Sequence, residues 1–342
     1  MNAPMRPKRL LICASIITVL ATASVALAVV LTPTNFPLTG STFQGGDGNL
    51  ANPTAAAGPN DPVPYPTNRD WQSLAASSSL EAITDPDLND SIYDTGSHES
   101  KPVNWDVDTL PSGSTPAKSN LYTAWSAYES DAFLNMAFDR AVSGGNVFIA
   151  FELNQDNRTW KNASNDWIMC RTTGDLVVSY GIQNNNNINI ILQRWVTDIP
   201  VTAAEAGTYT NGVGCAKEGH FANFDESSVP QLPASLVQAS MNLNVAATNY
   251  LPGSAKTSFG AELFGEASMD LAQIASTVLG TPCFSYIQFS VHGRSSESDA
   301  ASLQDLVGPI PMYIGNCTVR GVKFHDADGD GVREPGDPLL ST

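Results

Sequence analysis

The chain has 342 residues, of which 42% are hydrophobic, so it can form a substantial core and is long enough for about two folding units. It carries 17 Lys and Arg against 34 Asp and Glu, and the resulting net charge of −17 repels phosphate backbones and anionic lipid. This balance excludes nucleic acid as an expected partner and makes cations the more natural ligands.

The N-terminus has the three parts of a secretory signal peptide over residues 1–28. A basic MNAPMRPKR stretch precedes a long apolar run, and Ala26-Leu27-Ala28 provides an A-x-A cleavage site. We therefore expect a secreted chain, extracellular or wall-associated, with no membrane contact after cleavage. An uncleaved signal anchor is the alternative, because the apolar run from Leu10 to Leu31 is long enough to span a bilayer.

Residues 29–117 are rich in Pro, Asn and Gly, which predicts a disordered N-terminal segment, linker and loosely packed loops. Three large aromatic residues interrupt this polar composition, namely Phe43, Trp71 and Trp105. We expect these side chains to contact the core in places.

Strand patterns become dense after residue 118. The stretch FLNMAFDRAVSGGNVFIAFEL predicts two strands in a hairpin around SGGN, with alternating apolar residues in the second strand. A helix over residues 121–140 is the alternative, since its apolar residues also fit a helical stripe. The stretch DLVVSYGIQNNNNINIILQRWV predicts a second hairpin with its tip at the Asn run.

Further along the chain, residues 257–276 predict a strand followed by a short helix, and residues 283–296 predict another strand. Residues 296–308 are expected to be helical or turn-rich, and residues 311–324 to form a last strand. Many short strands and few helices predict an all-β fold, a β-sandwich of jelly-roll type over residues 118–318.

Four cysteines follow the predicted signal peptide, which in an exported protein indicates two disulfides. They are Cys170, Cys215, Cys283 and Cys317. Three pairings are possible, and we favour Cys170 with Cys215 and Cys283 with Cys317 because each pair encloses a local loop. A zinc site is disfavoured, since the chain has no C-x-x-C pair.

The phrases FLNMAFDRA, RTTGDLVVSY, FGEASMDL and RSSESDAASLQDLV resemble a family of uncharacterised, mostly actinobacterial, secreted or cell-wall surface proteins. In that family a β-rich N-terminal region precedes serine-aspartate-repeat (SD-repeat) B-type or prealbumin-like repeats. The resemblance covers about residues 40–318. It implies an adhesin-like protein whose partner is the cell wall or an extracellular matrix or glycan surface, and it implies no reaction.

Residues 319–342 resemble the truncated start of an immunoglobulin-like SD-repeat B-type domain. Their D-x-D-x-D-G run places oxygen ligands at the alternate positions that Ca²⁺ requires. The predicted calcium ligands are Asp326, Asp328, Asp330, Val332 (through its carbonyl), Glu334 and Asp337. Pro335 and Pro338 oppose flanking helices, so a strand-flanked calcium loop fits better than an EF-hand. A solvated acidic turn is the alternative.

No catalytic residues are predicted, and the expected function is an exposed adhesin-like or structural head on a calcium-rigidified stalk. A carbohydrate-binding module is the first alternative, with Trp160 and Trp167 as sugar-stacking rings, although both rings could instead be partial core. A glycoside hydrolase on a jelly-roll fold is the less favoured alternative. It would need two of Glu152, Glu262 and Glu266 on facing strands.

Overall fold

The computed structural model describes twelve stretches of the chain. They are residues 29–30, 34, 36–52, 68–85, 93, 96–106, 119–130, 132–183, 188–223, 234–243, 245–277 and 286–314. The predicted signal peptide and the acidic calcium loop lie outside these residues.

Strands account for most of the regular structure in the described residues. The strands are β1 Val29–Val30, β2 Leu80–Thr84, β3 Leu121–Glu129, β4 Phe133–Arg140, β5 Val147–Asn154, β6 Thr159–Lys161, β7 Trp167–Met169, β8 Leu176–Ile182, β9 Ile188–Pro200, β10 Ala216–Asn223, β11 Val237–Met241, β12 Ala247–Thr248, β13 Ser258–Phe259, β14 Phe264–Asp270, β15 Tyr286–Arg294 and β16 Leu303–Tyr313. The α-helices are α1 Trp71–Leu74 and α2 Leu271–Thr277, and single 3-10 turns cover Pro102–Asn104, Ala203–Glu205 and Ala234–Leu236. No helix in these stretches is both long enough and apolar enough to cross a bilayer.

Two antiparallel sheets contain most of these strands. One sheet has seven strands in the order β1-β9-β8-β5-β15-β16, with β10 also pairing with β9. The other has five strands in the order β11-β14-β4-β3-β2. Two short ribbons, β12 with β13 and β6 with β7, complete the pairing.

The two sheets pack face to face around one hydrophobic core. Phe138 from the five-stranded sheet meets Phe151 and Tyr180 from the seven-stranded sheet at ring-centroid distances of 5.4 and 5.3 Å. The Tyr180 hydroxyl also donates a hydrogen bond to the backbone carbonyl of Glu266 across the sandwich. The predicted all-β sandwich is therefore confirmed, whereas its jelly-roll connectivity stays a prediction.

Central strands of both sheets are covered on their outer faces as well, whereas an antiparallel sandwich commonly leaves those faces in water. All eight residues of β4 and all eight of β5 are buried. Polar side chains that point outward from these strands are therefore buried under loops rather than exposed to water. Each such side chain needs a hydrogen-bond or charge partner there.

The predicted hairpin around SGGN is wrong in its pairing, although both strands exist. Strand β4 pairs with β3 and β14, whereas β5 pairs with β8 and β15 in the other sheet. The SGGN turn, with Gly144 and Gly145 at φ of +75° and +76°, therefore links the two sheets. Turn chemistry alone identifies a chain reversal but does not determine which neighbour each strand takes.

The second hairpin is confirmed, since β8 and β9 pair in antiparallel register from Ile182 opposite Ile188. The alternative helix over residues 121–140 is wrong, because β3 and β4 occupy it. The strand followed by a short helix is confirmed by β14 and α2. Residues 296–308 are turn-rich only in their first part, because β16 begins at Leu303.

Described parts of residues 29–117 belong to the sandwich, so the fold extends N-terminally beyond residue 118. Strand β2 is the edge of the five-stranded sheet. Phe43 and Trp71 pack together at 5.2 Å on that sheet's outer face, in a cluster with Trp125. Trp105 is buried against the outer face of the other sheet.

Candidate functional site

A cluster of four charged or titratable side chains is buried on the outer face of the seven-stranded sheet. Glu152 on β5 and His292 on β15 point away from the core, because their sequence neighbours Phe151 and Val291 point into it. The other two members of this cluster are Glu99 and Arg171, from the covering loops. Each of the four side chains is at most 2% exposed.

Arg171 is the centre of the cluster. Its Nε donates to Oε1 of Glu152 at 3.0 Å, and its Nη1 donates to Oε2 of Glu99 at 2.7 Å. The guanidinium also lies between two indole rings, with Cζ 4.9 Å from the Trp105 centroid and 4.5 Å from that of Trp195. A third ring, Phe221, lies 5.2 Å from the same Cζ, so one cation pairs with two carboxylates and contacts three aromatic rings.

His292 bridges the same two carboxylates. Its Nε2 lies 3.3 Å from Glu152 Oε2 and its Nδ1 lies 3.6 Å from Glu99 Oε1. Ser290 Oγ, two residues earlier on the same face of β15, lies 2.9 Å from His292 Nε2. The imidazole therefore lies between the two glutamates, with the Trp105 ring 6.0 Å from it.

The electrostatics of the cluster keep its ion pair charged. Burial alone would raise the pKa of Glu99, but the positive charge of Arg171 and the hydrogen bond with His292 outweigh burial and hold that pKa well below its usual range. Burial has the opposite effect on a cation and would lower the pKa of Arg171. The negative charges of Glu152 and Glu99 outweigh burial and raise that pKa above its ordinary value. The Glu99–Arg171 pair thus stays ionised throughout the neutral range.

Glu99, Glu152 and His292 each offer one metal-ligand atom, and these three atoms lie within 4.8 Å of one another. Carboxylate oxygen and imidazole nitrogen are ligands that zinc accepts. However, Arg171 already binds oxygens of both carboxylates, so a cation there would have to displace the guanidinium. The arrangement is suited to fixing residues 96–106 onto the sheet rather than to holding an ion.

A disulfide fixes the backbone next to Arg171. Cys170 and Cys215 are bonded, as predicted, and both are fully buried. The residues that follow them are also joined, because the amide of Ala216 donates to the carbonyl of Arg171 at 2.9 Å. The disulfide therefore fixes residues 170–171, which follow β7, against the start of β10 at Ala216. This contact fixes the backbone that carries the Arg171 guanidinium.

A second buried carboxylate, Glu266, attaches the N-terminal segment to the outer face of the five-stranded sheet. Its Oε1 accepts from the amides of Asp47 and Gly48 at 3.0 and 2.6 Å, and its Oε2 accepts from Trp71 Nε1 at 2.8 Å. Burial raises the pKa of Glu266 and of nearby Asp70 well above their usual values. The Glu266 carboxylate thus joins residues 47–48 and Trp71 to the sheet.

The structure separates the carboxylates that a glycosidase would need. Glu152 and Glu266 project from the outer faces of different sheets, with the hydrophobic core between them. Glu262 is held elsewhere, because its Oε2 lies 3.5 Å from Arg140 Nη2 and accepts from the Gly144 amide at 2.9 Å. The three glutamates thus have separate sets of partners, whereas glycoside hydrolysis requires two carboxylates flanking one bond.

The two candidate sugar-stacking tryptophans lie in different environments. Trp160 is fully buried and packs edge-on against Tyr209 at 5.6 Å, so it presents no ring face to solvent. Trp167, opposite Lys161 on the same ribbon, is 58% exposed, and Lys161 Nζ lies 4.6 Å from its ring centroid. The expected pair of rings is therefore corrected to a single exposed ring.

Other predicted sites fall outside the described residues. These are the calcium ligands Asp326, Asp328, Asp330, Val332, Glu334 and Asp337, and the cysteines Cys283 and Cys317. The calcium site and the second disulfide remain predictions.

Sequence reasoning missed the convergence of Glu99, Arg171 and His292. A signal was present, because Glu152 is a lone charged residue in the apolar run FIAFEL and His292 follows the strand residues FSV. A charge in a strand that is buried on both faces requires a counter-charge. That requirement predicts a partner for Glu152 but does not say which distant loop supplies it.

The fold and the site define an antiparallel β-sandwich protein with covered outer faces, a buried charge cluster and a disulfide beside it. No family model, curated protein or solved structure matches the chain.

Proposed function

We propose that this chain is an exported bacterial surface protein whose β-sandwich is an exposed structural or adhesive head. The buried Cys170–Cys215 disulfide is the observation that carries the proposal. Disulfides of this kind form and persist outside the reducing cytosol. The basic and apolar residues of the N-terminus and the resemblance to wall-associated proteins support the same location.

The buried charge cluster favours a structural or binding role over catalysis. Its carboxylates are both paired with Arg171 and are buried beside Trp105, Trp195 and Tyr93, so a substrate has no exposed group to meet. Enzymes that use paired carboxylates need access of substrate and water to both. The cell wall or an extracellular glycan surface is the partner that an adhesive head would contact.

Thiol labelling tests the location directly. The full chain, with Cys13 replaced by Ala and Cys283 and Cys317 by Ser, is expressed in a bacterium with and without residues 1–28, and polyethylene glycol maleimide is added to denatured samples. For the chain that keeps residues 1–28, we expect protease-accessible protein at the cell surface or in the medium. Its Cys170 and Cys215 should be labelled only after reduction. A chain that stays in the cytosol with reactive thiols at both positions would contradict the proposal.

The calcium-rigidified stalk is part of the same proposal and rests on residues 326–337. Titration calorimetry with Ca²⁺ compares the full chain with an Asp328→Ala/Asp330→Ala variant. We expect binding heat in the parent and none in the variant, because two of the six predicted ligands are removed. Equal heat in both would place calcium elsewhere in the chain.

A further inference from the structure

A polar cleft lies on the outer face of the seven-stranded sheet, next to the buried charge cluster but separate from it. Its volume is about 470 Å³, within the range of small-molecule sites in proteins. Strands β5, β8, β9 and β15 form its floor, and the turn over residues 297–299 forms one wall. None of the four residues of the buried charge cluster lines it.

Arg294 supplies unused hydrogen-bond donors at the base of this cleft. The residue is 1% exposed, and only its Nη2 finds a hydrogen-bond acceptor among the described residues, Ser179 Oγ at 3.2 Å. Its Nη1 lies 3.9 Å from Asp299 Oδ1, too far for a hydrogen bond, and neither Nη1 nor Nε has an acceptor in the described part of the chain. Buried guanidinium donors without acceptors are costly, so they favour a ligand that brings oxygen atoms.

The walls of the cleft offer acceptors and amides in addition to the guanidinium. Glu297 and Asp299 contribute carboxylates from the turn, and Asn189 and Gln193 contribute amide groups from β9. Both amide side chains are only partly buried, so they remain accessible to a ligand. The cleft therefore presents donors and acceptors side by side over a short distance.

Two apolar side chains complete the cleft, Phe148 from β5 and Ile191 from β9. Such a surface suits the C–H face of a sugar ring, while the polar groups around it suit hydroxyls. Arg294 disfavours a cationic ligand, and the two carboxylates together with the net charge of −17 disfavour an anion. A neutral ligand whose groups both donate and accept hydrogen bonds satisfies all of these conditions.

We propose that this cleft binds a neutral saccharide, with Arg294 donating to ring or hydroxyl oxygens and Glu297 and Asp299 accepting from hydroxyl protons. The proposal deepens the adhesive role and in that sense rests on the proposed function, since it gives the exposed head a ligand. It differs from the tryptophan site expected from the sequence, which lies on the β6–β7 ribbon.

The test uses calorimetry and ligand-observed NMR on the purified full chain. Oligosaccharides of glucose, mannose and N-acetylglucosamine are the neutral probes, and an oligogalacturonate is the anionic probe. The cleft variant is Asn189→Ala/Gln193→Ala, which removes two partly exposed side chains and leaves Arg294 in place. The matched control is Trp167→Ala, an exposed aromatic residue away from the cleft. Near-UV circular dichroism verifies that each variant is folded.

We expect a neutral oligosaccharide to bind, with the cleft variant weakening binding about tenfold, which is about 1.4 kcal/mol. The Trp167→Ala control should bind like the parent. Binding lost only in that control, preference for the anionic probe, or no binding at millimolar concentration would each overturn the proposal. The binding assay uses purified protein in solution, so absence of binding would contradict the saccharide proposal and not the proposed export. Failure of export in the thiol assay would contradict the proposed location and not the binding result.

Discussion

Replacement of Arg171 by Met tests whether the buried charge cluster organises the outer face of the seven-stranded sheet. The change removes the hydrogen bonds to Glu152 and Glu99 at 3.0 and 2.7 Å and leaves both carboxylates in a site at most 2% exposed. Breaking a buried ion pair by removing one partner costs about 3–5 kcal/mol. Met retains part of the packing between Trp105 and Trp195, so we expect a loss of about 4 kcal/mol.

The assay is urea unfolding followed by tryptophan fluorescence, with the free energy of unfolding obtained by linear extrapolation. Arg69→Met is the matched control, because Arg69 pairs with Glu129 at 2.9 Å while 41% of its side chain is exposed. Exposed pairs contribute about 0–1 kcal/mol, so this control should change little.

A triple variant separates lost packing from stranded charge. Combining Arg171→Met with Glu99→Gln and Glu152→Gln removes the unpaired carboxylates, and we expect it to recover at least half of the loss. The reasoning is refuted if Arg171→Met costs no more than Arg69→Met. It is also refuted if the triple variant is no more stable than Arg171→Met alone, because stranded charge would then not be the cause.

Three further predictions concern the disulfide, pH and sheet packing. Replacing Cys170 and Cys215 by Ala should cost about 4 kcal/mol in the same urea assay, since the closed loop spans 45 residues, and a loss below about 1 kcal/mol would contradict the loop-entropy estimate. Because the folded-state pKa of Glu99 is lowered, its stabilisation is present above the unfolded pKa of about 4.3 and is lost as pH falls further. Accordingly, the difference in unfolding free energy between the parent and Glu99→Gln should shrink below that pH, and a constant difference would contradict it. Gly265→Ala should cost about 1–3 kcal/mol by thermal unfolding, because the new Cβ would lie 2.5 Å from the Phe138 ring, and an unchanged melting temperature would show that the ring moves freely.

The sequence predicts the strands of this protein better than their partners. Alternation in β5 and β8 follows from the period of a strand that faces a core, and both strands lie where the pattern places them. The pairing of β4 with β14, 125 or more residues away, depends on which buried faces fit together. A local pattern contains no information on that choice, and the SGGN turn suggests the wrong one.

The candidate site is less predictable than the fold. Cys170 and Cys215 are predictable as a pair because few pairings exist and export favours disulfides. Glu99, by contrast, lies in a Pro- and Asp-rich stretch that looks like linker, and only the folded chain places it beside Arg171. The requirement for a counter-charge can be read from a lone Glu152 in an apolar strand, but its position in space cannot.

Strand β15 shows why one part of this face is suited to binding and another is not. His292 and Arg294 point to the same side of the sheet, two residues apart. Trp105 and Tyr93 cover His292, and both neighbouring carboxylates form ion pairs with Arg171, so the charges there have partners inside the protein. Arg294 lines an open cleft and keeps donors without acceptors in the described part of the chain. Arg294 differs from His292 in lining this cleft, beside the partly exposed side chains of Asn189 and Gln193, so a ligand on this face should bind at Arg294 rather than at His292.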